Sequence, residues 1–394
     1  MSTSWAFFSQ AVRLSIHAEI PPRAGVWQSA SPAQVGFEEN GVGAAVNFAL
    51  ENETDWSPDL FEQKAIVGDE PPPWNEILGP LKPRGGPSGV IVSKGKILAE
   101  WGNPDRIDTT FSATKSYIAL CAIVALKLGL IRDLDDCLRD YGLCSHFEAP
   151  QNRAISWRHL LQQTSEWEGT LWTKPDQVDR NRHVGPGARD SVKGSPRKLK
   201  SPGRYWEYND IRVNLAALCL TLLFGRSLEE VLREHIMDPI GASRSWEWYG
   251  YRNSWVEIQG RAVPSVSGGA HWGGGLWIST LDHARMGLLI ARGGRWGSTE
   301  VLPGKLIQEL FVPCGLNPNY GLMWWLNTGR AMFSSAPESS VFAYGAGANY
   351  VWVDAPSDLV AVVRWINPDS MNGLIERVMA AAPPGSHSSG RCGD

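Results

Sequence analysis

The chain has 394 residues, 43% hydrophobic and 20% charged, a composition that suits a globular protein of about two or three domains. A formal net charge of −4 leaves no global basic field, so neither nucleic acid nor an anionic membrane is an expected partner. The six cysteines (Cys121, Cys137, Cys144, Cys219, Cys314, Cys392) include no Cys-x-x-Cys pair, which argues against a disulfide framework and against a zinc site.

Residues 1–85 are rich in Pro, Glu and Asp, with a helix expected over 34–50, and read as an N-terminal segment packed on the main domain. The start, Met1 to Phe8, has no basic residue, no adequate apolar stretch and no clean cleavage site, so a cytoplasmic location is expected. Two β-rich runs within 89–101 flank Ser93-Lys94-Gly95-Lys96, whose turn chemistry predicts a hairpin. The run 117–126 is apolar on every face, so as a helix it must be surrounded by protein. At ten residues it is too short to span a bilayer, and Gly129 should stop it.

Strand signals are sparse over 130–265. Helices are expected at 157–163, 211–224 and 227–236, separated by a long polar loop over 173–202, which makes this a mostly helical domain. The basic residues Arg189, Lys193, Arg197, Lys198, Lys200 and Arg204 read as a solvated loop. Beyond 273 come helices at 282–291 and 303–311, strands at 320–326, 350–353 and 359–366, a helix at 373–382, and a disordered tail over 384–394. The expected fold is therefore α/β in the broad α+β sense. Segments 86–129 and 266–383 form an antiparallel sheet domain flanked by helices, and 130–265 is a helical excursion from it. The 19 tryptophans fit an aromatic-walled cleft as well as core packing.

Ser112-Ala113-Thr114-Lys115 stands directly before the apolar run and sets a hydroxyl and an amine on one helical face. Partial burial favours the neutral amine, which can accept the serine proton, and a helix start offers free N–H groups to a developing oxyanion. Ser93 to Lys96 and Ser195 to Lys198 repeat the spacing but read as surface residues. A serine–lysine pair needs a third group to carry protons to the leaving group. Tyr208, in the turn Pro202-Gly203-Arg204-Tyr205-Trp206-Glu207-Tyr208-Asn209-Asp210, is the candidate, its phenol made acidic by a neighbouring cation.

Four pieces in order resemble the serine β-lactamase and penicillin-binding-protein-like superfamily, in the class C-related branch that includes esterases and aminohexanoate-dimer hydrolases. They are Phe111 to Lys115, Pro202 to Asp210, Gly273 to Arg285, and Tyr344 to Asp354, and the resemblance spans about 85 to 380. It implies a β-lactamase/transpeptidase-like fold and a cofactor-free serine hydrolase acting on a small-molecule ester or amide. By it, Ser112 is the acylated nucleophile, Lys115 its proton partner and Tyr208 the general base and acid. The oxyanion hole would join the Ser112 N–H to that of Ala346 or Gly347, glycine permitting close approach.

Two departures shape the expectation. Position 210 is Asp where the family usually has Asn, and a carboxylate there favours the Lys115 ammonium. No cation lies within 342–349, so a carboxylate-bearing β-lactam or peptide loses its partner, and Tyr344 is either a replacement hydrogen donor or a packing residue. A neutral ester or amide is thus favoured over β-lactamase or D-alanyl carboxypeptidase activity. A catalytically silent ligand- or partner-binding member is the alternative. His271 either lines the cleft or is structural.

Overall fold

The structure, a computed structural model, describes residues 26–62, 70–182, 184 and 192–383. Arg189, Cys392 and the tail over 384–394 lie outside the described residues.

The first strands are β1 (Ser88–Ser93) and β2 (Lys96–Trp101), followed by the two-residue β3 (Asp108–Thr109). Lys94 and Gly95 both take positive φ, 51° and 76°, which matches the right-handed twist of a two-residue hairpin turn. Next come β4 (Glu247–Ile258), β5 (Arg261–Val266), β6 (Gly275–Ile278), β7 (Trp325–Leu326), β8 (Val341–Gly345), β9 (Asn349–Asp354) and β10 (Leu359–Arg364). The larger sheet has the order β7-β8-β9-β10-β1-β2, antiparallel throughout, so the N-terminal hairpin and the C-terminal strands share one sheet. A second sheet runs β3-β6-β4-β5.

Five helices position the rest: α1 (Glu39–Glu51), α2 (Thr114–Lys127), α3 (Asp210–Phe224), α4 (Thr280–Ala291) and α5 (Met371–Ala381). Strand residues alternate between two cores. Val90, Val92, Val351, Val353, Val360 and Val362 belong to the core that contains α2, α3 and α4. Ile91, Trp352, Ala361 and Val363 face the other core with residues of α1 and α5. Both faces are covered, which is why these strands read as continuous apolar runs rather than as alternating ones. Helix α1, from the N-terminal segment, packs on α5 and β2.

Helix α2 is buried from Thr114 to Ala125, and each buried Ile, Leu or Val there contributes about 1.5–3 kcal/mol. None of the helices among the described residues is long and apolar enough to cross a membrane.

The structure departs from the sequence-based expectations in four places. The stretch 130–265 was expected to be mostly helical, yet β4 and β5 form a hairpin in the second sheet. Only Trp248, Tyr251 and Ser254 of β4 are buried, Trp255 being 54% exposed, and that weakens the apolar signal of a strand. The strand expected over 320–326 is reduced to Trp325–Leu326. Ser93, expected on the surface, is buried at the end of β1, whereas Ser195 is half-exposed and accepts from Asn181 Nδ2 at 2.7 Å. The basic stretch is not simply solvated: Arg197 is clasped by Glu166 and Glu207, and Lys193 pairs with Glu70.

Candidate active site

Ser112 lies in a single 3-10 turn, Phe111–Ala113, that runs straight into α2. N–H groups in such a first turn lack intrahelical acceptors. Phe111 is held at φ +47°, a left-handed conformation costing about 1–3 kcal/mol for a bulky residue. Its ring is fixed edge-on between Trp56 and Trp365, at centroid distances of 5.4 and 6.1 Å. Packing therefore pays the strain that turns Ser112 outward. His283 of α4 secures the same turn, its ring nitrogens bonded to Thr110 Oγ1 at 2.7 Å and Tyr117 OH at 2.8 Å. Burial depresses its pKa well below the ordinary histidine value, so the ring is neutral.

Helix α3 brings the second group. Asn209 caps it, its side-chain oxygen accepting from Ile211 N at 3.1 Å and Arg212 N at 3.2 Å. Tyr208 precedes the cap and Asp210 opens the helix, so both face α2. Lys115 Nζ donates to Ser112 Oγ at 2.8 Å and contacts Asp210 Oδ1 at 2.6 Å. The Tyr208 ring lies beside this pair, its centre 4.8 Å from Lys115 Nζ, and the Ser112 side chain slightly offsets the rise in the phenol's pKa. Lys115, Tyr208 and Asp210 are buried, while Ser112 stays half-exposed. The hydroxyl is thus the accessible member of the group.

Protonation follows from this packing. Burial pushes the Lys115 pKa down, and the opposing pull of Asp210 does not restore it. Asp210 remains ionised despite its burial because Lys115, Arg182 and His271 surround it. Tyr208 departs from the expected acidic phenol: burial and then Asp210 push its pKa well up, with only partial relief from Arg182. An amine made less basic by burial, beside a phenol that burial keeps protonated, can move a proton from the serine toward a leaving group.

The third wall is the end of β8. A Cβ on Gly345 would fall 2.0 Å from Thr110 O and 3.1 Å from Ala113 N, so this residue makes the close approach to the serine turn. Gly347, which with Ala346 was the expected second donor of the oxyanion hole, sits at φ +69° under Trp365 and turns the hairpin. Ala346, half-exposed, comes between them, and its carbonyl accepts from Asn349 Nδ2 at 2.8 Å. Asn349 is in turn held by Arg364 at 2.7 Å, and Arg364 also bonds Thr109 O and Ile278 O, tying the two sheets together behind the site. Gly345→Ala is expected to lower stability by about 1–3 kcal/mol. An unchanged urea midpoint would contradict this packing.

Tyr344 stacks on Tyr350 at 4.6 Å, and burial raises its pKa. Tyr208 stacks on Trp325 at 6.1 Å, with Trp206 and Tyr320 closing an aromatic cluster beside the phenol. Trp157, Trp167, Trp246, Trp272, Trp277 and Trp324 are instead core residues. His271 has both nitrogens engaged, Nε2 at 2.8 Å from Glu70 Oε1 and Nδ1 at 3.5 Å from Asp210 Oδ2.

The family model described as Beta-lactamase matches residues 89–370, well over half of the sequence. The chain belongs to the Beta-lactamase family. Solved structures agree on the fold. A putative 6-aminohexanoate-dimer hydrolase from Bacillus anthracis superposes with a TM-score of 0.56 at 14% identity, covering 92% of this chain and 88% of that one. A putative β-lactamase from Bacteroides dorei gives 0.54 at 17%, covering 75% and 94%. A family VIII carboxylesterase gives 0.55 at 16%, covering 76% and 93%. Among curated proteins no sequence matches the chain. The β-lactamase/transpeptidase-like architecture expected from the motifs is therefore present, with antiparallel sheets flanked by helices.

Sequence reasoning missed Arg182, Asp179 and Glu70 around the site. Arg182 reaches Asp210 from 28 residues upstream, and no periodicity or motif links positions so far apart.

Proposed function

We propose that this family member is a serine hydrolase that cleaves a small neutral ester or amide through an acyl-enzyme on Ser112. The observation that supports the reading is the 2.8 Å hydrogen bond from Lys115 Nζ to the half-exposed Ser112 hydroxyl, with the buried Tyr208 ring centred 4.8 Å from the same Nζ.

In this mechanism Lys115, its pKa lowered by burial, takes the Ser112 proton as the oxygen attacks the substrate carbonyl. The oxyanion is received by the N–H groups of Ser112 and Ala346. The Tyr208 hydroxyl then delivers a proton to the departing oxygen or nitrogen and is reprotonated from Lys115. In the second half the same relay activates water against the acyl-enzyme, releasing the acid.

A neutral substrate fits the charges. The cations Arg182 and Lys193 are each already held by carboxylates, Arg182 by Asp179 and Asp210 and Lys193 by Glu70. A substrate carboxylate would have to compete with those partners. Among solved structures of the same fold are a family VIII carboxylesterase and a putative 6-aminohexanoate-dimer hydrolase, by name an ester and an amide hydrolase.

A fluorophosphonate probe is expected to add one covalent mass to the intact protein, located by peptide mass spectrometry at Ser112 and absent from Ser112→Ala. A folded wild-type chain that stays unlabelled would turn the reading to a silent ligand binder in the same cleft.

A further inference from the structure

We propose that Arg182 is a positioning residue of the Ser112 centre, holding Asp210 as a carboxylate shared between two cations instead of one committed to Lys115. The inference rests on the acyl-enzyme reading above.

Asp210 divides its oxygens. Oδ1 lies 2.6 Å from Lys115 Nζ and Oδ2 lies 2.6 Å from Arg182 Nη1. The guanidinium is clamped on its other side by Asp179 at 3.2 Å, and Asp179 Oδ2 also accepts the Asp210 backbone N–H at 2.6 Å. Arg182 is thereby fixed against the first turn of α3. Its Cζ is 5.4 Å from the centre of the Tyr208 ring, and Lys115 Nζ is 4.8 Å from the same centre. Other titratable groups beside the carboxylate among the described residues are His271, with Nδ1 3.5 Å from Asp210 Oδ2, and behind it Glu70 and Lys193; Lys193 also approaches Asp179 at 3.6 Å.

Electrostatics gives this arrangement its purpose. A buried carboxylate whose one partner was Lys115 would hold the lysine as an ammonium and resist negative charge on the Tyr208 oxygen. Arg182 offsets that potential at both groups. An asparagine at 210 would need no such neighbour, so the aspartate and the arginine act as a matched pair.

The test is the pH profile of kcat/KM on a p-nitrophenyl ester for wild type, Arg182→Gln, Asp210→Asn and the double variant, with circular dichroism as the folding check. Arg182→Gln is expected to lose about tenfold or more near neutral pH and to move the rising limb to higher pH, since the unrelieved carboxylate keeps Lys115 charged. Asp210→Asn should move that limb the other way. The double variant should fall between the two and exceed Arg182→Gln in rate. Arg182→Lys, which keeps the charge, should keep the wild-type limb, and it serves if the Gln variant does not fold.

A limb unmoved in Arg182→Gln, a double variant no faster than Arg182→Gln, or an Arg182→Lys limb displaced to higher pH would each overturn the assignment. The acyl-enzyme reading fails separately, through a wild-type Ser112 that the fluorophosphonate does not label. Labelling with coincident pH limbs sinks Arg182 alone.

Discussion

Ser112→Ala is expected to reduce ester hydrolysis to the small residue left by binding and oxyanion contacts, while Tyr208→Phe loses about 10²–10⁴-fold in kcat. The two losses should not add. In the proposed mechanism Tyr208 and Lys115 both act through the Ser112 hydroxyl, so once it is gone a second substitution removes nothing further. Ser112→Ala/Tyr208→Phe should therefore be no slower than Ser112→Ala. Ser112 is half-exposed and its hydroxyl bonds only within the site, so the variant should also unfold at nearly the wild-type midpoint. A double variant clearly slower than the single, or a Ser112→Ala protein with unchanged turnover, would show that another group carries the reaction.

Arg212→Met carries the largest expected effect on stability. Arg212, 1% exposed on α3, bonds Glu166 at 3.0 Å, Glu207 at 3.1 Å, Asp176 at 3.2 Å and Trp167 O at 3.2 Å. Arg197 also serves Glu166 and Glu207, and Arg180 also serves Asp176. Within this network three carboxylates face three guanidiniums, and deleting one guanidinium leaves a buried negative charge unmatched. Breaking such a group typically costs about 3–5 kcal/mol, read here from urea unfolding at neutral pH.

The pH dependence gives a second check. Burial alone would raise the Glu166 pKa, but Arg197 and Arg212 outweigh it and hold the carboxyl below 4.5. Its contribution is present above the unfolded pKa and is lost as pH falls through the folded one. The gap between Arg212→Met and wild type should therefore be widest at neutral pH and narrow under acid. A gap that stays constant with pH would assign the cost to lost packing instead of lost charge.

Both predictions bear on the local order of the sequence. The network of Arg212, Glu166, Glu207 and Asp176 lies beneath the Tyr208 turn, and its members were individually unremarkable in the chain. Tyr208 itself was legible because the Pro-Gly lead, the Asn209 cap and the apolar run of α3 are all local signals. The same holds for Ser112 and Lys115, whose three-residue spacing at the start of an all-round apolar helix fixes their relation before any tertiary contact forms. The hairpin turn at Lys94-Gly95 and the helix over Met371–Ala381 were equally local.

What the chain could not reveal by itself were the groups brought in from a distance and the protonation that results. Local pattern alone determined where the candidate serine, its lysine and the tyrosine turn lie along the chain, because capping, spacing and apolar periodicity act over a few residues. Only the tertiary structure decided that Gly345 meets the serine turn. It alone showed that β4 and β5 complete a second sheet, that Arg182 and Lys115 divide Asp210, and that Tyr208 is a weaker acid than its cationic neighbours suggested. Each depends on which distant segments share a boundary, and on how far their packing excludes water. Coulombic and desolvation effects are set by that three-dimensional neighbourhood, which sequence order does not encode residue by residue.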